Sequence, residues 1–160
     1  MIHFANLCAA LPGDKTALET FRARSSGDDY ATALALLTGQ RPRRIAPLDT
    51  ILHWVAATAG ISDALLTACT AVTRDRAETA ALLLPPAIGT PPSLTQTIAI
   101  LAQATPLTAH NTLQTLWQTL PPPANTILFR LAAGRFRQTL PKAAPLTNQP
   151  PRTLRAVMTL

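Results

Sequence analysis

Beyond Glu78 the chain has no acidic residue: its eight carboxylates, Asp14, Glu19, Asp28, Asp29, Asp49, Asp63, Asp75 and Glu78, all precede residue 79. The cations do not stop there. Arg130, Arg135, Arg137, Lys142, Arg152 and Arg155 follow, and because the earlier cations equal the acids in number, the net charge of +6 falls entirely after Glu78. Charge so placed makes a polyanion the natural partner. Lysine is scarce as well, with only Lys15 and Lys142. Arginine forms planar, multidentate contacts to phosphate, although its use in place of lysine also follows genome base composition.

Aromatic residues are only 4% of the chain against 48% hydrophobic residues in all, so the interior is built from Leu, Ala, Ile and Val, which suits packed helices better than a β-sandwich. Cys8 and Cys69 have no CxxC or Cys/His pattern beside them, which predicts buried free thiols in a reducing cytoplasm. His3, His53 and His110 lack HxxxH or HExxH spacing, and no GxSxG, Walker A or GxGxxG sequence occurs. These absences exclude the common metal and nucleotide sites. No apolar run approaches the roughly 20 residues of a membrane-spanning helix, and MIHFANLCAALPGDK is a poor signal peptide because it has no basic leader and breaks at Pro12. The expected localisation is cytoplasmic, on the nucleoid.

What is present is helical periodicity. Phe4, Leu7, Cys8 and Leu11 form one stripe. Asp14 can cap a second helix with Leu18 and Phe21 inward, and Asp28 or Asp29 a third with Tyr30, Leu34 and Leu37 inward, stopped by Gly39. The basic loop QRPRR (40–44) follows. Leu48, Ile51, Leu52 and Val55 stripe a helix up to Gly60, and Ser62 can cap another carrying Leu65, Leu66, Cys69 and Val72. Asp75 with Glu78, and Ser93 with Gln96, stand at capping-box spacing. Leu113, Leu116, Trp117 and Leu120 precede the prolines 121–123, and Ile127, Leu128 and Leu131 lead to Gly134. A proline-rich tail ends in a short helix over Leu154 and Val157. The pattern predicts an all-α single globular domain over 1–160, made of nine or ten short helices. Trp54 and Trp117 lie within stripes, so they read as packing residues rather than base-stacking ones.

Three stretches carry a family resemblance. Phe4 to Leu7 and Lys15 precede ATALALLTG (31–39); RDRAETAALLLPP (74–86) is followed by PPSL (91–94); and ILFRLAAGRFRQTL (127–140) combines a helix, a glycine turn and an arginine pair. Together, in this order and spacing, they resemble the DNA-binding domain that precedes the catalytic core of bacterial ATP-dependent DNA ligases. The chain departs from the family at Arg74 and Thr139, where glycine is usual, at Gln138, where an apolar residue is usual, and at Pro141 and Pro145.

The resemblance implies a non-catalytic module that grips the sugar-phosphate backbone of nicked duplex DNA without reading its sequence, with a separate ligase catalytic chain as a further partner. By the same resemblance Gly134, Arg135 and Arg137 are the leading contact residues, the glycine turn offering backbone N–H groups and a following helix adding its N-terminal potential. Arg130, Thr139 and Lys142 flank that turn. Arg74 and Arg76 from the second stretch and Arg41, Arg43 and Arg44 from the basic loop complete the candidate set. The alternative is a helical protein–protein adaptor derived from such a domain; a small-molecule-binding helical domain has no positive support. No cofactor is expected, because ATP and magnesium would belong to a catalytic domain whose K-x-D-G lysine motif is missing: Lys15 heads Lys-Thr-Ala-Leu and Lys142 heads Lys-Ala-Ala-Pro. Incubated with ATP and magnesium, the chain is therefore expected to form no AMP adduct. A gel-resolved AMP label on either lysine would overturn the non-enzyme expectation.

Overall fold

Proline locks φ near the helical value and has no N–H to lose in a first turn. Helix α9 (Pro122–Ala132) accordingly starts inside the run of prolines, with Pro121 as its N-cap. Ala124, Asn125, Ile127, Leu128, Phe129, Leu131 and Ala132 are all buried, so α9 is a core helix. The computed structural model describes residues 1–140 and, among them, nine α-helices and no strand. The readings on Lys142, Arg152, Arg155 and the short helix over Leu154 and Val157 lie outside the described residues.

The other elements are α1 (Ile2–Ala10), α2 (Ala17–Arg24), α3 (Gly27–Leu37), α4 (Leu48–Ala59), α5 (Asp63–Thr73), α6 (Arg76–Leu83), α7 (Leu94–Gln103) and α8 (Ala109–Trp117). Helix α9 packs most extensively on α6 and also on α1 and α4, while α4 packs on α6. Small residues make this close approach possible: Ala77, Ala80 and Ala81 of α6 and Ala124 and Ala132 of α9 are all buried. The few aromatics fill the wider gaps. Phe4 meets Phe21 and Phe136, and Trp117 meets the edge of Phe129. Asn125 is 1% exposed and donates from Nδ2 to the carbonyls of Trp117 and Leu120, which satisfies acceptors that the end of α8 leaves open.

Several caps fall as the sequence predicts. Ser62 caps α5, Asp75 caps α6, and Ser93 with Gln96 forms a complete capping box on α7. Asp14 acts one step early, accepting from the N–H and hydroxyl of Thr16, which is itself the N-cap of α2. The start of α3 differs from expectation. Ser26 is its cap, and Asp29 turns away from its own helix to accept from Thr95, through its N–H at 2.9 Å and its hydroxyl at 2.8 Å. An acidic residue in the first turn of one helix thereby caps the first turn of another 65 positions or more away, a use no local pattern reveals.

The stripe expected to face inward on α5 mostly does not. Only Leu66 is buried, while Leu65 is 52% and Val72 83% exposed, because α5 is an outer helix with α6 as its main neighbour. Replacing Asp29 by Ala removes both Thr95 bonds and is expected to lower stability by about 1–2 kcal/mol. Asp28→Ala, on the exposed side of the same turn, should change it by less than about 0.5 kcal/mol. Urea unfolding of the two variants makes the check, and equal effects would contradict the cross-helix cap.

Candidate nucleic-acid interface

The turn after α9 is a Schellman closure. Gly134 adopts φ +65°, its N–H donates to the Leu131 carbonyl at 3.2 Å, and the Arg135 N–H donates to the Arg130 carbonyl at 2.7 Å. Only a residue comfortable at positive φ suits this place. The two N–H groups are thus engaged within the helix end, which corrects the expectation that the glycine turn offers them to phosphate. No helix follows through Leu140, so the added N-terminal potential is also missing from the described residues. What the turn presents is side chains. Phe136 is 1% exposed and packs on Phe4, and the residues on either side of it, Arg135 and Arg137, are exposed.

The basic loop lies against this turn. The Ile45 N–H donates to the Ala132 carbonyl at 2.8 Å, and a Cβ on Gly134 would stand 3.7 Å from the Arg44 Cβ. Sequence reasoning treats residues 41–44 and 134–137 as separate candidates, and the fold makes them one surface. Within it Arg41 is a brace. Its Nε donates to the Phe136 carbonyl at 2.9 Å, its Nη1 to the carbonyls of Leu36 and Gln40, and its guanidinium lies over the Phe136 ring. Arg43 donates to the Ala104 carbonyl at 2.7 Å, just past the end of α7. Both arginines serve chain carbonyls first, although the sequence suggests phosphate contacts for them.

The α5–α6 turn adds the third segment. Arg130 pairs with Asp75 and Arg76 with Asp49, the latter at 3.0 Å with both side chains mostly exposed. The absence of acids after Glu78 therefore does not leave Arg130 without a carboxylate: the fold brings Asp75 to it. Arg74, at the end of α5, has φ 59°, the only positive φ outside glycine among the described residues. It stands where the family resemblance places glycine. Such a backbone costs a non-glycine residue on the order of 1–3 kcal/mol.

Arg44, Arg74, Arg76, Arg130 and Arg135 line one groove of about 660 Å³ with Asp49 and Asp75, and its edge is the first turn of α4, which has no side-chain cap. The cue for that missing cap is Pro47 directly before Leu48, in place of Ser, Thr or Asp. A second groove on the other side of Arg130 and Arg135 is lined by Leu11, Phe136, Arg137, Gln138, Thr139 and Leu140. Thr139 is exposed there. Burial, and next the Arg137 charge, lower the pKa of Arg41 from its ordinary value. Arginine stays protonated regardless; the lesser of the two causes, the Arg137 charge, places a second guanidinium near Arg41 on this face. Among the described residues Arg44, Arg74, Arg135 and Arg137 form no salt bridge.

The fold and this face define a class: among the described residues, an all-α domain that gathers arginines without a carboxylate partner from three separate turns on one side. Compared with protein-family models, with curated proteins and with solved structures, the chain has no match in any of the three. Among the described residues no helix is long and apolar enough to cross a membrane.

The Asp75–Arg130 pair anchors the α6 side of the face. Burial alone would raise the Asp75 pKa. The hydrogen bond from Arg130, the N–H groups of Glu78 and Ala77 and the Arg130 charge outweigh burial and hold it below the ordinary value. A depressed folded pKa contributes stability that is complete above the unfolded pKa of about 3.9 and is lost as pH falls through the folded value. The stability difference between the protein and Asp75→Asn, measured by urea unfolding at pH 7, is accordingly expected to shrink below about pH 3.9. A difference that is the same at pH 7 and pH 3 would show that the carboxylate charge contributes nothing.

Proposed function

We propose that this chain is a non-catalytic module that binds the sugar-phosphate backbone of duplex DNA, nicked duplex included, without base specificity. The observation that carries the reading is the convergence of Arg44, Arg74, Arg135 and Arg137, from segments far apart in sequence, on one face where no carboxylate among the described residues pairs with them. Their positions favour backbone contact. All four lie in loops or at helix ends, and a helix presenting several side chains to a major groove is what base reading ordinarily requires.

Duplex DNA is preferred over other polyanions because of the resemblance to the DNA-binding domain of ATP-dependent DNA ligases, in which such a module works beside a nucleotidyltransferase supplied by the same or a separate chain. The all-α architecture is of the class that resemblance implies. The adaptor reading has one observation in its favour, the apolar residues Leu65, Val72 and Leu82 exposed on α5 and α6.

Arg135 and Arg137 flank a buried anchor and serve no other residue of the described fold through an ion pair, so replacing both by Ala should leave the helices intact. Each lost phosphate contact reduces the slope of log K against log salt by about 0.9, and the double variant is expected to flatten it by nearly 2. The measurement is a salt titration of binding to a nicked duplex, with circular dichroism as the folding control. An unchanged slope in a folded double variant would remove the C-terminal turn from the interface, and no binding by the unaltered chain at low salt would favour the adaptor.

A further inference from the structure

Arg74 occupies a backbone conformation in which glycine is at ease and a side chain is not. The left-handed region brings Cβ against the adjacent carbonyl, and the other described residues with positive φ are Gly39, Gly60, Gly89 and Gly134. A substitution to glycine would relieve Arg74 at once, since its own N–H bond to the Thr70 carbonyl is a main-chain one that any residue makes. Nothing in the described fold requires the side chain. It is exposed and has no ion pair among the described residues, whereas its neighbours Arg76 and Arg130 have Asp49 and Asp75. The groove it lines contains five arginines against two aspartates, and Arg44 and Arg135 stand in it equally unpaired. Three guanidiniums from three segments around one concavity can offer parallel N–H donors to the oxygens of a phosphate from several directions.

We infer that Arg44, Arg74 and Arg135 form a phosphate-binding subsite, and that arginine holds the strained position 74 because its guanidinium is needed there. The inference deepens the polyanion reading of this face and rests on it for the natural ligand. It makes a statement that reading does not: one substitution should move stability and phosphate affinity in opposite directions.

The experiment titrates the full chain and its Arg74→Gly variant with inorganic pyrophosphate, following the arginine Nε–Hε signals by NMR, alongside thermal melting and nicked-duplex binding of both proteins. Pyrophosphate is expected to shift the signals of Arg44, Arg74 and Arg135 and to leave that of Arg43 in place. Arg74→Gly should melt about 2–4 °C higher and bind pyrophosphate about tenfold more weakly or worse. A variant that melts higher but keeps its pyrophosphate affinity would mean that arginine is merely tolerated at position 74, and the inference falls. A variant that melts lower would assign the side chain to holding the fold, and the inference falls equally. Pyrophosphate binding that depends on Arg74 in a chain that ignores nicked duplex would sink the DNA reading and leave the subsite standing. Strong duplex binding in a chain whose groove signals ignore pyrophosphate would do the reverse.

Discussion

The closure of α9 is the constraint from which the arginine face follows. A helix of largely buried residues must stop, and its last carbonyls need donors. Gly134 and Arg135 supply them by turning the chain through positive φ, and Phe136 then enters the core beside Phe4. Loss of a buried Phe typically costs about 3–5 kcal/mol, above the roughly 1–3 kcal/mol that a positive φ costs a residue other than glycine, so the ring is the stronger anchor. Arg41 seals it from outside by bonding the Phe136 carbonyl and covering the ring. With Phe136 fixed, the residues before and after it have no place but the surface.

The arginines divide by what surrounds them. Arg41 and Arg43 bind carbonyls of loops and helix ends; Arg76 and Arg130 meet carboxylates; Arg44, Arg74, Arg135 and Arg137 have neither ion pair nor carbonyl among the described residues. The paired and braced arginines have their charge or donors engaged within the fold, and the others give the face its sign. The Arg76–Asp49 pair is too exposed to contribute much stability, so its greater effect is to temper the positive potential at the α4 side of the groove. The cations without an ion pair among the described residues thus stand in loops and turns rather than along helix faces. Such a surface suits a ligand whose charges repeat along a backbone and whose identity lies elsewhere.

Much of this is legible in the order of residues. Helices over the Leu113–Trp117 and Ile127–Leu131 stripes, the caps at Ser62, Asp75 and Ser93 and the glycine stop at 134 all follow from interactions within a few residues, where propensity, periodicity and capping are strong. Where local pattern misleads, a partner distant in sequence intervenes. Asp29 leaves its own helix for Thr95, Arg130 finds Asp75, Arg41 and Arg43 reach carbonyls of other segments, and α5 keeps its apolar stripe in solvent because too little of the chain packs over it.

By itself the sequence determined the all-α class, the helix boundaries near their caps, and the one-sided excess of cations, since each depends on local energetics or on simple addition of charge. Only the tertiary structure decided which cations have partners, that the loop at 41–44 and the turn at 134–137 form a single surface, and that Arg74 sits in a glycine-like conformation at the rim of a groove. Pairing and juxtaposition depend on distance through space, and a chain of short helices joined by irregular turns leaves that distance unspecified until its core has packed.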